Sequence, residues 1–460
     1  MSSKKKDDNV LMGTCTQIVD GNETVDKMLA DSLSIYDQAL YFIRQDFFKT
    51  PLEERDICKY KIMSKSKLED LVKKTKAFID SDLDYNIKQQ AAYQARESFV
   101  DWKNAMIEYR KNPTDFTGEP SIPHYMYLNK KYNVITVYKT RFRSFDIERR
   151  VLRLPCTDVE VYVPEYVKIE NIKCLTVTKY YNKFQISFNY IVECLNVNNN
   201  VGLDYSSCIG VDTGVNNLMS ITTNDKDSSL IINGRQIKAI NQLFNKKLSK
   251  LNSELPLLPK EKRTEYVTQI KVSKAILELC EKHSNQIRTI CNTVAKMVID
   301  FCLAQKSGTI VVGRNKGWKT GGMKNRNKQV EKANNQNFIN IPIAKILERI
   351  KQKAQRYGIQ YIEVEESYTS KTDHLMFEEM KHFDDDKQRS GRRVRRGLFK
   401  SGCGVVLNAD INGAIGILRK ANVLSIDQIM AMRNRGSIVR PVVKRLFAKS
   451  KQSNATKFMK

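Results

Sequence analysis

Apolar positions recur at helical spacing over residues 23–48, where Val25, Leu29, Leu33, Tyr36 and Leu40 fall on one side of an amphipathic helix. Ser64 is a candidate N-cap for a second helix carrying Leu68, Leu71 and Val72. A longer helix is predicted up to Tyr109, with Pro113 just past its end. From Ser121 to Leu195 the period shortens. Runs such as Tyr132–Tyr138, Val159–Val163 and Phe184–Tyr190 alternate with turn residues, and no long helix intervenes. That pattern predicts an antiparallel sheet or small barrel.

Asn196–Val201, rich in asparagine, reads as a linker, and beyond it the pattern becomes α/β. Strands are predicted at Ser207–Val211, Leu218–Thr222, 229–233, Thr309–Val312 and Ile359–Val364. Helices are predicted at Gly234–Leu251, Val272–Gln305, Ile341–Tyr357 and Asp410–Lys420, the last with Ile411, Ala414, Ile415 and Leu418 as its packing face. A strand, a hairpin, helices and then parallel strands is the order of a ribonuclease-H-like sheet, with the first strand central. Residues 421–460 hold nine Lys and Arg against one acid, Asp427, and are expected to be a solvated basic tail.

Charge changes the picture most. The chain has 460 residues, 78 Lys and Arg against 51 Asp and Glu, and a net charge of +27. Such an excess implies a polyanionic partner, nucleic acid before acidic lipid. No run of about 18 apolar residues offers a membrane span. The N-terminus has no secretory pattern. Ten cysteines without a Cys-x-x-Cys pair form no disulfide scaffold, and Cys280, Cys291 and Cys302 repeat every eleven residues as a buried helical stripe. These features point to a reducing, intracellular location. No small-molecule cofactor is indicated, and none of the four histidines is assigned a role; His283 lies on the long helix, His374 and His382 in a polar loop.

In so basic a chain, three acids stand in settings suited to a site. Asp212 follows an apolar strand, Glu366 ends another, and Asp410 opens a helix. Ligand sites of open α/β sheets lie at the carboxyl edge of the strands. Carboxylates there suit hard divalent cations, Mg²⁺ or Mn²⁺, and two such ions can promote phosphodiester hydrolysis. Glu366 continues the face of Ile362 and Val364, whereas Glu365 points the other way and is the reserve candidate. Lys316, Trp318, Lys319 and Arg326, among glycines of the segment 313–326, suit a nucleic-acid strand. So does the run Arg392, Arg393, Arg395 and Arg396.

Four stretches resemble the RuvC-type nuclease core of the TnpB (OrfB) family of insertion-sequence-encoded proteins. They are Gly210-Val-Asp-Thr-Gly-Val-Asn-Asn-Leu218, Gly313-Arg-Asn-Lys-Gly-Trp-Lys319, Glu366-Ser-Tyr-Thr-Ser-Lys371 and Asn408-Ala-Asp-Ile-Asn-Gly-Ala414. Gly397–Ser401 and the helix Gly234–Lys247 also fit. The Fanzor proteins and type V CRISPR effectors share the plan. The resemblance implies a multidomain protein: a wedge-like β-barrel beginning at 1–22 and resuming at 113–200, a helical recognition domain at 23–112, and a RuvC-like nuclease domain at 201–420. It implies an RNA-guided, metal-dependent DNA endonuclease of transposon origin, with a structured guide RNA and target double-stranded DNA as partners. Asp212 matches the family's first catalytic Asp and Asp410 its last.

The chain departs from the family pattern at two places. The usual glutamate follows the strand Thr309–Val312, where this chain has Gly313; some branches carry it at the segment matching Glu366. The family's four-cysteine zinc ribbon falls at 372–402, but Asp373 and Lys400 replace cysteines and only Cys403 remains, so no structural zinc is expected. Two other functions stay open: a nuclease-inactive RNA-guided DNA-binding repressor, and a guide-independent transposase or nuclease.

Overall fold

A computed structural model describes residues 11–51, 55–116, 118–126, 133–142, 145–192, 202–254, 274–314, 341–380, 389–395 and 397–447. The chain divides into two compact units, residues 1–192 with 257–281, and 193–256 with 282–460.

The first unit opens with β1 (Met12–Val19) and then α1 (Glu23–Phe48). The Asn22 side chain caps α1 by accepting from Thr24 N and Val25 N. Val25, Leu29, Tyr36 and Leu40 are buried along it, as their spacing predicted. Three helices follow: α2 (Lys65–Val72), capped by Ser64, α3 (Lys76–Ile79) and α4 (Tyr85–Lys111). Six strands come next: β2 (Ile135–Tyr138), β3 (Phe145–Asp146), β4 (Val151–Arg153), β5 (Glu160–Tyr162), β6 (Ile172–Tyr180) and β7 (Lys183–Ile191). β1 pairs antiparallel with β7, so the helices 23–111 are inserted between strands of one sheet.

That sheet has the order β1-β7-β6-β2, and β3-β4-β5 form another. Of the two readings of this region, an antiparallel sheet or a small barrel, the described residues form the sheet. The four-stranded sheet is open, with β1 and β2 at its edges. Four hydrogen-bonded strands are too few to close on themselves, and β3, β4 and β5, of two or three residues each, form their own small sheet.

The second unit contains β8 (Asp204–Thr213), β9 (Asn217–Thr223), β10 (Ser229–Asn233), α5 (Arg235–Glu254), α6 (Lys274–Ala304, which starts in the first unit), β11 (Ser307–Arg314), α7 (Ile343–Arg356) and β12 (Gln360–Glu365). A small antiparallel sheet, β13 (Arg392–Arg395), β14 (Leu398–Lys400) and β15 (Val406–Asn408), leads into α8 (Ala409–Lys420). The last elements are α9 (Ile426–Met432), α10 (Gly436–Val439) and β16 (Val442–Lys444).

The main sheet has the order β12-β11-β8-β9-β10-β16. β8, the first of these strands in sequence, is internal. β9 runs antiparallel to it, and β11 and then β12 lie parallel on its other side. The carboxyl ends of β8, β11 and β12 therefore share one edge.

Side chains alternate across this sheet. Ile209, Val211, Ile310 and Val312 pack with buried residues of α6 and α7 on one face. Cys208 and Val311 pack with Ile417 and Leu418 of α8 on the other.

Residues 421–447 are folded rather than the solvated tail expected from their charge. Ile429, Met432, Ile438 and Leu446 are buried, β16 extends the sheet by pairing parallel with β10, and Arg435 donates to the carbonyls of Thr223 and Asn224. A few apolar anchors outweigh the basic composition: Arg435 is buried on those carbonyls, while Arg440, Lys444 and Arg445 stay exposed. The expected linker 196–201 lies outside the described residues.

Candidate active site

Helix α8 positions the site because glycines let it lie directly on the sheet. A Cβ on Gly210 would stand 2.6 Å from both the Ala414 carbonyl oxygen and Leu418 Cγ. One on Gly313 would stand 2.6 Å from Ile417 Cδ1, and one on Gly413 would stand 2.7 Å from Asp212 Oδ2. α8 thus lies over three strands: Gly413, Ala414 and Leu418 face Asp212 and Gly210 of β8, Ile417 faces Gly313 of β11, and Lys420 reaches the end of β12.

Asp212 shares the α8 face of β8 with Cys208 and Gly210, four and two residues back. Val311 and Val312 pair with Gly210 and Val211, so Gly313 comes next to Asp212. Glu366 follows the last residue of β12 on the same face as Val364, which packs against the α8 side. The Glu366 Cγ lies 3.5 Å from where a Gly313 Cβ would be, so the side chain leans across β11 in space that the glycine leaves open. From there it reaches hydrogen-bonding range of Asp212. Glu365 is exposed on the opposite face.

The electrostatics follow from this crowding. Burial raises the Asp212 pKa well above the usual carboxylate value, and the charges of Glu366 and Asp410 raise it further; a Thr213 backbone hydrogen bond and the Arg393 charge oppose them. Burial also raises Glu366, against the Lys420 charge and the contact with Asp212. Glu366 Oε2 is buried without a hydrogen-bond partner.

Asp410 sits in the first turn of α8, whose N-cap, Asn408, accepts from Asp410 N and Ile411 N. Its carboxylate accepts from Asn217 Nδ2 at 2.6 Å. Asp212 and Glu366 are thus brought together directly, while Asp410 acts on Asp212 through charge and is held by Asn217. Among the described residues, no group of three or more His, Cys, Asp and Glu is already arranged as a set of metal ligands. The donor chemistry nevertheless fits a hard divalent cation: all the groups are carboxylates, two have burial-raised pKa values, and one oxygen is orphaned.

Arg392, Arg393 and Arg395 are exposed on β13, and Arg393 lies close enough to favour the ionised form of Asp212. Lys316, Trp318, Lys319, Arg326 and Arg396 lie outside the described residues.

The segment after Glu366 contains a buried polar network that the sequence reading missed. Asp373 is fully buried and accepts from Ser401 Oγ at 2.8 Å and Gly402 N at 2.7 Å. His374, read as a loop residue, is also fully buried. Nε2 faces the Thr369 carbonyl at 2.9 Å and Nδ1 faces Arg419 Nη1 at 3.0 Å, which assigns the proton to Nε2. Burial, reinforced by the charges of Arg419, Lys420 and Arg389, pulls its pKa down to about 3, so the ring is neutral. Asn412, two residues past Asp410, donates to the Thr372 carbonyl at 2.8 Å. These bonds tie the chain beyond Glu366 to the helix of Asp410. Asp373→Ala is expected to destabilise this unit by about 3 kcal/mol, because Ser401 and Gly402 lose a buried acceptor; the midpoint of denaturant unfolding measures it, and an unchanged midpoint would contradict the role.

Residues 344–417 match the family model described as "Cas12f1-like, TNB domain"; the matched segment contains both Glu366 and Asp410. No curated protein matches the chain at a significant level. Among solved structures, the chain is similar to the "Cryo-EM structure of the Cas12f1-sgRNA-target DNA complex", with 16% identity and a TM-score of 0.49 over 86% of this chain and 82% of that one. It is also similar to the "Structure of the mini-RNA-guided endonuclease CRISPR-Cas_phi3", with 12% identity and a TM-score of 0.41 over 92% of this chain and 93% of that one.

Proposed function

We propose that this chain, whose residues 344–417 match the Cas12f1-like TNB domain model, is an RNA-guided, metal-dependent DNA endonuclease of transposon origin. One observation carries the reading: Asp212 and Glu366, remote in sequence, meet on the α8 face at the carboxyl edge of the sheet, where Asp410 also acts. A net charge of +27 gives no other reason to bury acids together. The guide RNA and target DNA are inferred from the family segment and from the motif resemblance.

In this reading residues 201–420 are the RuvC-like nuclease domain, 23–112 the helical recognition domain, and 1–22 with 113–200 the wedge. The reaction is hydrolysis of a DNA phosphodiester: water adds to phosphorus, loses a proton, and a sugar oxygen departs. Asp212, Glu366 and Asp410 would hold Mg²⁺ or Mn²⁺, which supplies Lewis acidity and a more acidic water. The chain's own residues do the remaining work. Asn217 orients Asp410, and Gly313 leaves the path by which Glu366 reaches Asp212. Arg393 brings positive charge beside the carboxylates, suited to a phosphate.

The test is cleavage of target DNA by the protein with its co-purified RNA, after that RNA has been sequenced to define the target. Cutting that needs Mg²⁺ and matched RNA supports the reading. Binding without cutting identifies a repressor, and cutting after RNA removal identifies a guide-independent nuclease or transposase.

A further inference from the structure

We propose that Lys420 is a positioning residue that locks Glu366 in place by gripping the chain on both sides of it. This deepens the nuclease reading and rests on it.

Among the described residues β12 is the edge strand of the sheet and pairs with β11 alone. The end of an edge strand has backbone groups with no neighbouring strand to bond and frays unless something anchors it. Glu366 stands just past that end. From there it must reach across β11 to Asp212 on β8, two strand spacings of about 4.8 Å each. A small swing of its backbone would remove it from the site.

Lys420 supplies the anchor. Its Nζ donates to the Glu365 carbonyl at 2.8 Å and to Ser367 Oγ at 3.0 Å, the residues immediately before and after Glu366. Lys420 ends α8, the helix whose first turn carries Asp410. The glycine contacts at Gly210, Gly313 and Gly413 seat that helix on the sheet. One rigid element therefore carries one carboxylate at its start and the clamp for another at its end. Its charge also lies near enough to Glu366 to oppose the effect of burial on that carboxyl.

The experiment uses the full chain with its co-purified RNA. Mn²⁺ binding is measured by electron paramagnetic resonance, alongside single-turnover cleavage, DNA binding and melting temperature. Lys420→Met keeps the stem and removes the donors; it is expected to weaken Mn²⁺ binding and slow cleavage by about tenfold each, with DNA binding and melting temperature unchanged. Lys420→Arg is expected to restore most of both. Parental Mn²⁺ binding in Lys420→Met, or no rescue by Arg, would overturn the role. Should Lys420→Met fold poorly, Ser367→Ala removes one of the two anchors, and parental Mn²⁺ binding there overturns the proposal as well. Glu366→Gln separates the failures. If it binds Mn²⁺ and cleaves like the parent, the carboxylate reading and the role of Lys420 fall together. If it is defective while Lys420→Met is not, only the role of Lys420 falls.

Discussion

Asp212→Asn is expected to raise the melting temperature of the metal-free protein at pH 8 while lowering cleavage on the order of 10³-fold. The two effects have one cause. Asp212 is half-buried beside two other carboxylates, and its pKa is raised first by desolvation and then by their charge. Below the unfolded value of about 4, the residue is protonated in both states and has no effect on the pH dependence. As pH rises from there through the raised folded value, the unfolded chain releases its proton first, so stability falls. Glu366, raised by burial, has the same sign.

The neutral amide removes this cost, so the gain over the parent is absent near pH 3 and grows towards pH 8. The shift should be about 2–4 °C for each kcal/mol relieved. Mg²⁺ should narrow the difference by stabilising the parent alone. The cleavage loss follows from removing several kcal/mol of transition-state stabilisation at 1.36 kcal/mol per tenfold. Thermal melts across pH, with and without Mg²⁺, provide the check. A less stable Asp212→Asn at pH 8 would mean that the carboxylate is not under this strain.

The second large effect concerns Gly210. Gly210→Ala places a methyl 2.6 Å from the Ala414 carbonyl oxygen, a backbone atom that moves only if α8 lifts from β8. Gly313→Ala meets Ile417 Cδ1 at the same 2.6 Å, but that is the free end of a flexible side chain. Overpacking against backbone is expected to cost about 3 kcal/mol at Gly210 and about 1 kcal/mol at Gly313. Cleavage should fall further than stability at Gly210, because Asp410 and Lys420 move with the helix. Denaturant titration of both variants, with cleavage measured under folding conditions, tests the contrast; equal losses would refute the account of how α8 is seated.

Individual residues show how far the chain could be read without its fold. That Glu366 and Glu365 lie on opposite faces was legible because strand side chains alternate. Asn217 lies inside the motif that carries Asp212, yet its bond to Asp410 joins residues 193 positions apart. His374 and Asp373 read as polar loop residues because hydropathy registers their type and not their partners; hydrogen bonds make their burial tolerable. Whether the short alternating runs of 121–195 make a sheet or a barrel depends on which strands pair, and that is not written in the runs themselves.

Local pattern alone determined most helices and strands and the basic character, since period, caps and charge act over a few residues. Only the tertiary structure decided that α8 lies across β8, β11 and the end of β12, that Lys420 grips both neighbours of Glu366, and that residues 421–447 extend the sheet. Those outcomes depend on close approaches between segments up to about two hundred residues apart, and they are settled by packing at a few ångströms, which the order of side chains along the chain does not encode locally.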